Sequence, residues 1–264
     1  MDLHLQGKNV VVTGASRGIG LAIARAFAEE GARVVAGART PGADLEALAA
    51  SHELIPVAGD LATVEGVERL IATANDRLGG IDVLVNNVGI LQTRLNGFRS
   101  ITDEDWLGTF NANLMSAVRA CRAALPSLLE SHGTIVSVSS VNAFLPDPGI
   151  MDYTASKAAL TNFSKALSKE VGPQGVRVNT VAPGPVSTDM WVGEGGLAHQ
   201  VAQAMGVDPE TAREQIIEGA GGFATGRFTR PDEVADLVLL LASDRAGNMT
   251  GTDVTIDGGL VKTS

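Results

Sequence analysis

One cysteine in 264 residues excludes an internal disulfide. That cysteine, Cys121, sits in the helical run Ala120-Cys121-Arg122-Ala123-Ala124, the ordinary setting of a small packing residue rather than a nucleophile. Positive charge is short: 20 basic residues face 30 acidic ones, a formal net charge of -10. Nucleic acid and anionic membranes are bound by clustered Lys and Arg, so neither partner is expected. Aromatic residues are few, and no basic stripe interleaved with them is present. The four histidines, His4, His52, His132 and His199, are scattered without ligand spacing, so no catalytic metal is expected. The longest aliphatic run, Leu237–Leu241, is too short to span a bilayer. The stretch Met1–Lys8 lacks the long apolar region of a signal peptide, and a cytoplasmic location is the default expectation.

Apolar runs alternate with helical patterns along the whole chain, at a soluble globular composition of 45% hydrophobic and 19% charged residues. Continuous Val/Ile/Leu runs predict strands at Asn9–Thr13, Arg33–Ala38, Leu54–Ala58, Val83–Asn86, Thr134–Ser139, Arg177–Ala182 and Val254–Ile256. Helices are predicted at Ile19–Glu30, Asp44–Ser51, Val64–Leu78, Asp103–Glu130, Tyr153–Val171 and Pro231–Ala242. The alternation predicts an α/β fold: a doubly wound, seven-stranded parallel sheet of the Rossmann type. No linker or repeat divides it, so residues 1–264 are expected to form a single domain. Residues 190–228 break the rhythm with frequent glycine and no strand pattern. A helical lid over a substrate is expected there, with helices at Leu197–Met205 and after Asp208-Pro209, the second capped by Asp208.

The turn Thr13-Gly14-Ala15-Ser16-Arg17-Gly18-Ile19-Gly20 follows the first strand and opens the first helix. Glycines there let the backbone approach a pyrophosphate at a helix N-terminus. A carboxylate at the end of the second strand would bind the ribose hydroxyls of NAD. This chain instead has Gly37-Ala38-Arg39-Thr40, with Arg17 in the glycine turn. Two guanidiniums suit a 2′-phosphate, so NADP(H) is expected over NAD(H). Asp60, after the third strand, is placed to accept a hydrogen bond from an adenine amino group.

Tyr153 and Lys157 lie one helical turn apart on one face. Use of a phenol near pH 7 needs a shift of about three units from its ordinary pKa, about 4 kcal/mol. An ammonium ~5 Å away at an effective dielectric of ~20 supplies about 3 kcal/mol, so Lys157 is expected to lower the phenol. Ser139 and Ser140 end the fifth strand, where the active sites of such sheets lie. Either hydroxyl could donate to a substrate oxygen. Asn113, an amide among apolar neighbours, either has a structural partner or holds a water for proton relay. The rigid turn Pro183-Gly184-Pro185-Val186-Ser187-Thr188 could present backbone groups and the Thr188 hydroxyl to a nicotinamide carboxamide.

In this combination the chain resembles the classical short-chain dehydrogenases/reductases. The likeness runs through the glycine turn, Asn86-Asn87-Val88-Gly89, Asn113, Ser140, Tyr153/Lys157, Pro183–Thr188 and the ending Asp257-Gly258-Gly259. It implies Tyr153 as acid/base, Ser140 (rather than Ser139) as the group that polarises the carbonyl, Lys157 as ribose ligand and modulator of the phenol, and Asn113 as anchor of a relay water. It further implies cofactor contacts at Gly14, Ser16, Arg17, Gly18, Ile19 and Gly20. Others fall at Arg39, Asp60, Leu61, Asn87 and Gly89, at Tyr153 and Lys157, and at Pro183, Gly184, Val186 and Thr188. Val88 replaces the family's usual alanine, which puts two more methyl groups beside the cofactor. Many members are homotetramers, so a homotetramer or homodimer is implied.

The substrate pocket is expected at Met190 and Trp191 on the lid, with Leu197, Val201 and Met205 on one helical face, and at Phe144, Leu145 and Met151 before Tyr153. Such a lining suits a small-molecule ketone or secondary alcohol that is apolar or cyclic around its carbonyl. A 3-oxoacyl-[acyl-carrier-protein] reductase is the alternative. Its acidic partner needs a basic surface, yet residues 191–222 carry Glu194, Asp208, Glu210, Glu214 and Glu218 against Arg213 alone, with Arg119 and Arg122 elsewhere. A noncatalytic NADP(H)-binding sensor is the third reading, disfavoured because a binder has no use for a tuned phenol.

Overall fold

The strand β1 (Asn9–Thr13) sends Val10 and Val12 to one side of the sheet and Val11 to the other, and all three are fully buried. That alternation, in a run with no polar face, is what a parallel strand covered on both sides requires. The computed structural model describes residues 1–94, 96–193, 196–219 and 222–262. Its further strands are β2 (Arg33–Ala38), β3 (Leu54–Ala58), β4 (Val83–Asn86), β5 (Thr134–Val138), β6 (Arg177–Pro183) and β7 (Asp253–Ile256). They form one parallel sheet in the order β3-β2-β1-β4-β5-β6-β7. The expected seven strands are all present, with ends within two residues of those predicted, as hydrogen-bond definitions of an element end allow.

Helices α1 (Gly18–Glu29), α2 (Ala43–Ser51) and α3 (Val64–Leu78) alternate with the first strands. Next come α4 (Asp103–Phe110), α5 (Ser116–Ser131) and α6 (Met151–Val171). After β6 the chain makes α7 (Asp189–Val192), α8 (Leu197–Met205), α9 (Pro209–Gly219) and α10 (Pro231–Ala242). One apolar core joins α1, α2 and α10 to the sheet through Ile23, Phe27, Leu45 and Val238. The other joins α3 and α5 through Leu70, Ile71, Ala124 and Leu128. Cys121 lies in this second core, and burial pushes its thiol up to about 12, so it is chemically quiet.

The expected single helix Asp103–Glu130 is interrupted. Residues Asn111–Met115 form a π-turn between α4 and α5. The widened turn coincides with Asn113, whose amide reaches inward to the segment after β4. Apolar periodicity carries no signal for one inserted residue, and such insertions concentrate at functional sites.

The excursion 190–228 contains no strand among its described residues, as expected, and Asp208 caps α9 by accepting from Glu210 N and Thr211 N, both at 3.0 Å. The packed face of α8 is Ala198 and Ala202, whereas Met205 is 55% exposed. Of the predicted Leu197–Val201–Met205 stripe, Val201 is half-buried and Met205 lies mostly in solvent. The Leu197 and Met190 side chains, and Glu194, Gly195 and Gly221 altogether, lie outside the described residues. Trp191 meets Phe228 edge-on at 5.6 Å, within a small cluster that includes Val141, Phe223 and Leu260.

Candidate active site

The strand order reverses at β1/β4, and the crevice at that switch point is where such sheets take ligands. The glycine turn after β1 forms one wall. A Cβ on Gly20 would lie 2.2 Å from Gly14 O and 2.4 Å from Asn87 Nδ2, so only glycine lets α1 start this close to the turn. Asn87 donates to Thr13 O and Gly14 O at 3.1 and 3.0 Å, while Thr13 Oγ1 accepts from Asn87 N at 2.9 Å. The Asn87 side chain is thus a brace of the turn.

The opposite wall is the Pro183–Thr188 stretch. A Cβ on Gly18, whose φ is +57°, would sit 3.3 Å from Thr188 Cγ2, so the two loops face each other across a narrow gap. Val186 is buried and bridged to Thr229, and Gly184 N donates to Ile256 O at 2.9 Å, which fixes the path of the stretch. Leu61 is buried in the second core, as Val186 is in the first, so both have only backbone to offer a ligand. Ser16 and Ile19 are half-buried in the turn. Asp60 keeps one carboxylate oxygen on its own turn, accepting from Ala62 N at 3.0 Å. Arg17 and Arg39 are exposed, and neither makes an ion pair among the described residues. The close approach of the glycine turn to Asn87 and to Thr188 leaves mainly backbone lining this end of the crevice.

Ser140, Tyr153 and Lys157 meet at the carboxyl end of β5. The Lys157 side chain is buried, and its ammonium donates to Val138 O at 2.8 Å. It lies 5.8 Å from the centre of the Tyr153 ring and within 3.4 Å of where a Cβ on Gly89 would stand, so it joins the phenol to the loop after β4. Ser140 Oγ accepts from Asn142 N at 3.1 Å and donates weakly to Asn142 Oδ1 at 3.3 Å. Ser139 Oγ instead packs on Thr161 Oγ1 at 2.6 Å, inside the contact with α6. Of the two serines only Ser140 is left for a substrate.

Asn113 is wholly buried and its amide is fully engaged. Oδ1 accepts from Ile90 N at 2.8 Å, and Nδ2 donates to Ile90 O at 3.0 Å and Ser156 Oγ at 2.9 Å. The side chain holds the β4 loop to α6, the structural partner that one of the two sequence readings expected.

Burial sets the electrostatics of the site. Burial pushes the Tyr153 phenol above its ordinary value, and only Ser140 pulls it down. Burial also drives Lys157 down to about 8. The Coulomb reasoning from sequence omitted the cost of stripping water from both partners.

Of the predicted pocket residues, Phe144 is 48% and Leu145 43% exposed, on the segment joining Ser140 to Tyr153, and Met151 is half-buried at the start of α6. Sequence reasoning missed Arg94, Thr109 and Asp152, which form a buried polar cluster directly before Tyr153. The acid beside the tyrosine was the one signal that could have flagged it.

The short chain dehydrogenase family model matches residues 8–195. The chain is 36% identical to a 3-oxoacyl-[acyl-carrier-protein] reductase FabG from Vibrio harveyi, over 98% of this chain and 99% of that protein. It is also 36% identical to 3beta-hydroxysteroid dehydrogenase 1 of Eggerthella lenta, over 97% and 94%. The crystal structure of L-sorbose reductase from Gluconobacter frateurii, complexed with NADPH and L-sorbose, superposes with a TM-score of 0.92 at 34% identity, covering both chains fully. Similarity of this extent, over a sheet that carries the glycine turn at its switch point and the serine–tyrosine–lysine convergence at the end of β5, makes the chain a member of the classical short-chain dehydrogenases/reductases, oxidoreductases that bind a nicotinamide cofactor.

Proposed function

We propose that this protein reduces a ketone to a secondary alcohol with NADPH, using Tyr153 as proton donor. The observation that carries this reading is the convergence of Ser140, Tyr153 and Lys157 beside Gly89, at the mouth of a glycine-walled crevice. Arg17 and Arg39 would hold a 2′-phosphate, the Gly14–Gly20 turn a pyrophosphate, and Thr188 with the Pro183–Val186 backbone a carboxamide. The bound nicotinamide supplies the hydride.

The chain's own residues handle the oxygen. Ser140 donates a hydrogen bond to the carbonyl oxygen and stabilises charge as it develops. The long Ser140–Asn142 contact is weak enough to be exchanged for it. The Tyr153 O–H bond breaks and its proton goes to the same oxygen. A phenol held above its ordinary pKa by burial is fully protonated at neutral pH, the form that reduction requires.

The exposed Phe144 and Leu145 favour a substrate that is apolar or cyclic around its carbonyl, with the described parts of 190–228 as its lid. The alternative, a carrier-bound 3-oxoacyl group, draws support from the FabG relatives. It is disfavoured by α9, where Glu210, Glu214 and Glu218 outnumber Arg213, itself paired to Glu210 at 2.8 Å. Arg119 is also committed, donating to Ala62 O. Assembly as a homodimer or homotetramer and a cytoplasmic location belong to the same proposal; no helix among the described residues is long and apolar enough to cross a membrane. A nicotinamide-absorbance screen of ketones and alcohols with NADPH and NADH tests the reading. Turnover of a free ketone with NADPH supports it. Cofactor binding without oxidation across the panel replaces it with the sensor, and turnover confined to carrier-linked ketones replaces it with the acyl-carrier reductase.

A further inference from the structure

Tyr153 stands in the first turn of α6, where backbone N–H groups have no intrahelical acceptor. Such a turn ordinarily relies on a side-chain cap, worth about 1 kcal/mol. Here Ile150, the N-cap residue, supplies none, and the nearest side-chain cap is Asp147, which accepts from Gly149 N at 2.7 Å in the 3-10 turn leading into α6. A proton donor in an uncapped, frayed turn would be poorly aimed.

What holds the turn is a buried ion cluster. Asp152, 1% exposed, accepts from Thr109 Oγ1 of α4 at 2.7 Å. It also takes the Arg94 guanidinium on both oxygens, Nε to one and Nη2 to the other. Arg94 Nη1 donates to Asp105 Oδ1 at 3.0 Å, the acid that closes the capping box of α4 with Thr102. The Arg94 backbone N–H donates to Gly149 O at 2.8 Å, in the segment leading into α6. One side chain, 11% exposed, thus ties the β4–α4 loop to the starts of two helices. A bidentate fork between two carboxylates is a geometry that lysine cannot reproduce.

We infer that Arg94 is a positioning residue: through Asp152 and Gly149 it ties the first turn of α6 to α4 and the β4–α4 loop, and so holds Tyr153 in register with Ser140. It never touches the reacting atoms. The inference rests on the proposed reductase activity for its kinetic consequence, but not for its structural one.

Two measurements on the full chain test it: hydrogen exchange at Met151–Thr154, and steady-state kinetics with NADPH and a ketone that the wild type reduces. A small misplacement of a catalytic group costs up to ~100-fold in rate. Arg94→Met is expected to speed exchange at Met151–Thr154 and to lower kcat roughly 10- to 100-fold, with the KM for NADPH within about twofold. Arg94→Lys is expected to recover only part of kcat. Asp152→Asn, which keeps the Thr109 contact, is expected to show the same local exchange and kcat loss more mildly, and it serves if Arg94→Met does not fold. Unchanged exchange at Met151–Thr154, or an unchanged kcat, in a folded variant overturns the inference. So does a kcat loss matched by a comparable rise in the NADPH KM. If the wild type reduces no ketone, the proposed function fails instead, and the exchange result still decides whether Arg94 holds the turn.

Discussion

The chain contains one tyrosine, so an ultraviolet titration of tyrosinate reads Tyr153 and nothing else. In the protein without cofactor, burial holds the phenol above its ordinary value near 10. Lys157, lowered to about 8, has mostly lost its charge before the phenol begins to ionise, so it gives little help there. A unit positive charge ~5 Å from the phenol oxygen at an effective dielectric of ~20 contributes about 3 kcal/mol, roughly two pKa units. Saturating NADP+ should therefore move the tyrosinate midpoint down by about two units, and uncharged reduced nicotinamide should not. The free protein is expected to titrate above 10, with no tyrosinate signal at neutral pH. A free-protein midpoint near 7, or a midpoint insensitive to NADP+, refutes the desolvation reasoning and restores Lys157 as a sufficient modulator.

Burial of Lys157 also has a stability signature. Its folded pKa, about 8, lies below the unfolded value of 10.5, so the unfolded state binds the proton more tightly. The cost is fully present below pH 8 and disappears as pH rises from about 8 towards 10.5. It amounts to about 3 kcal/mol, offset by about 1 kcal/mol for the hydrogen bond to Val138 O. Lys157→Met should thus be more stable than wild type by about 2 kcal/mol at pH 7 in denaturant unfolding, with the advantage gone near pH 10 and turnover lost; a destabilised variant at pH 7 contradicts this. Arg39→Asp should weaken NADPH binding by roughly 10- to 100-fold through lost phosphate contacts and leave NADH binding equal or better; an unchanged preference removes Arg39 as the reader of the phosphate.

Much of this was legible in the sequence, for identifiable reasons. The seven strands are unbroken aliphatic runs, and the sheet covers both their faces, so periodicity and composition agree with the fold. Tyr153, Lys157 and Ser140 were visible because their chemistry depends on residue type and local spacing. Asn87 was singled out from the sequence for the cofactor crevice, but its brace on the glycine turn was not, because it depends on a partner more than 70 positions away. The π-turn at Asn111–Met115 was hidden because an inserted residue leaves the apolar faces of α4 and α5 intact. Arg94 looked like any loop arginine, since Asp105 and Asp152 become its neighbours only after α4 packs on α6. The burial of Tyr153 and Lys157, which raises the phenol and lowers the ammonium, could not be read from spacing because it is a property of the folded chain.

Whether Tyr153 delivers the proton is tested most directly by Tyr153→Phe, assayed for NADPH binding by fluorescence and for ketone reduction in parallel. Removal of the only phenol should leave the dissociation constant within about twofold and cut turnover by roughly 10²- to 10⁴-fold, the range of a lost general acid. Turnover that survives the substitution would show that the proton comes from elsewhere.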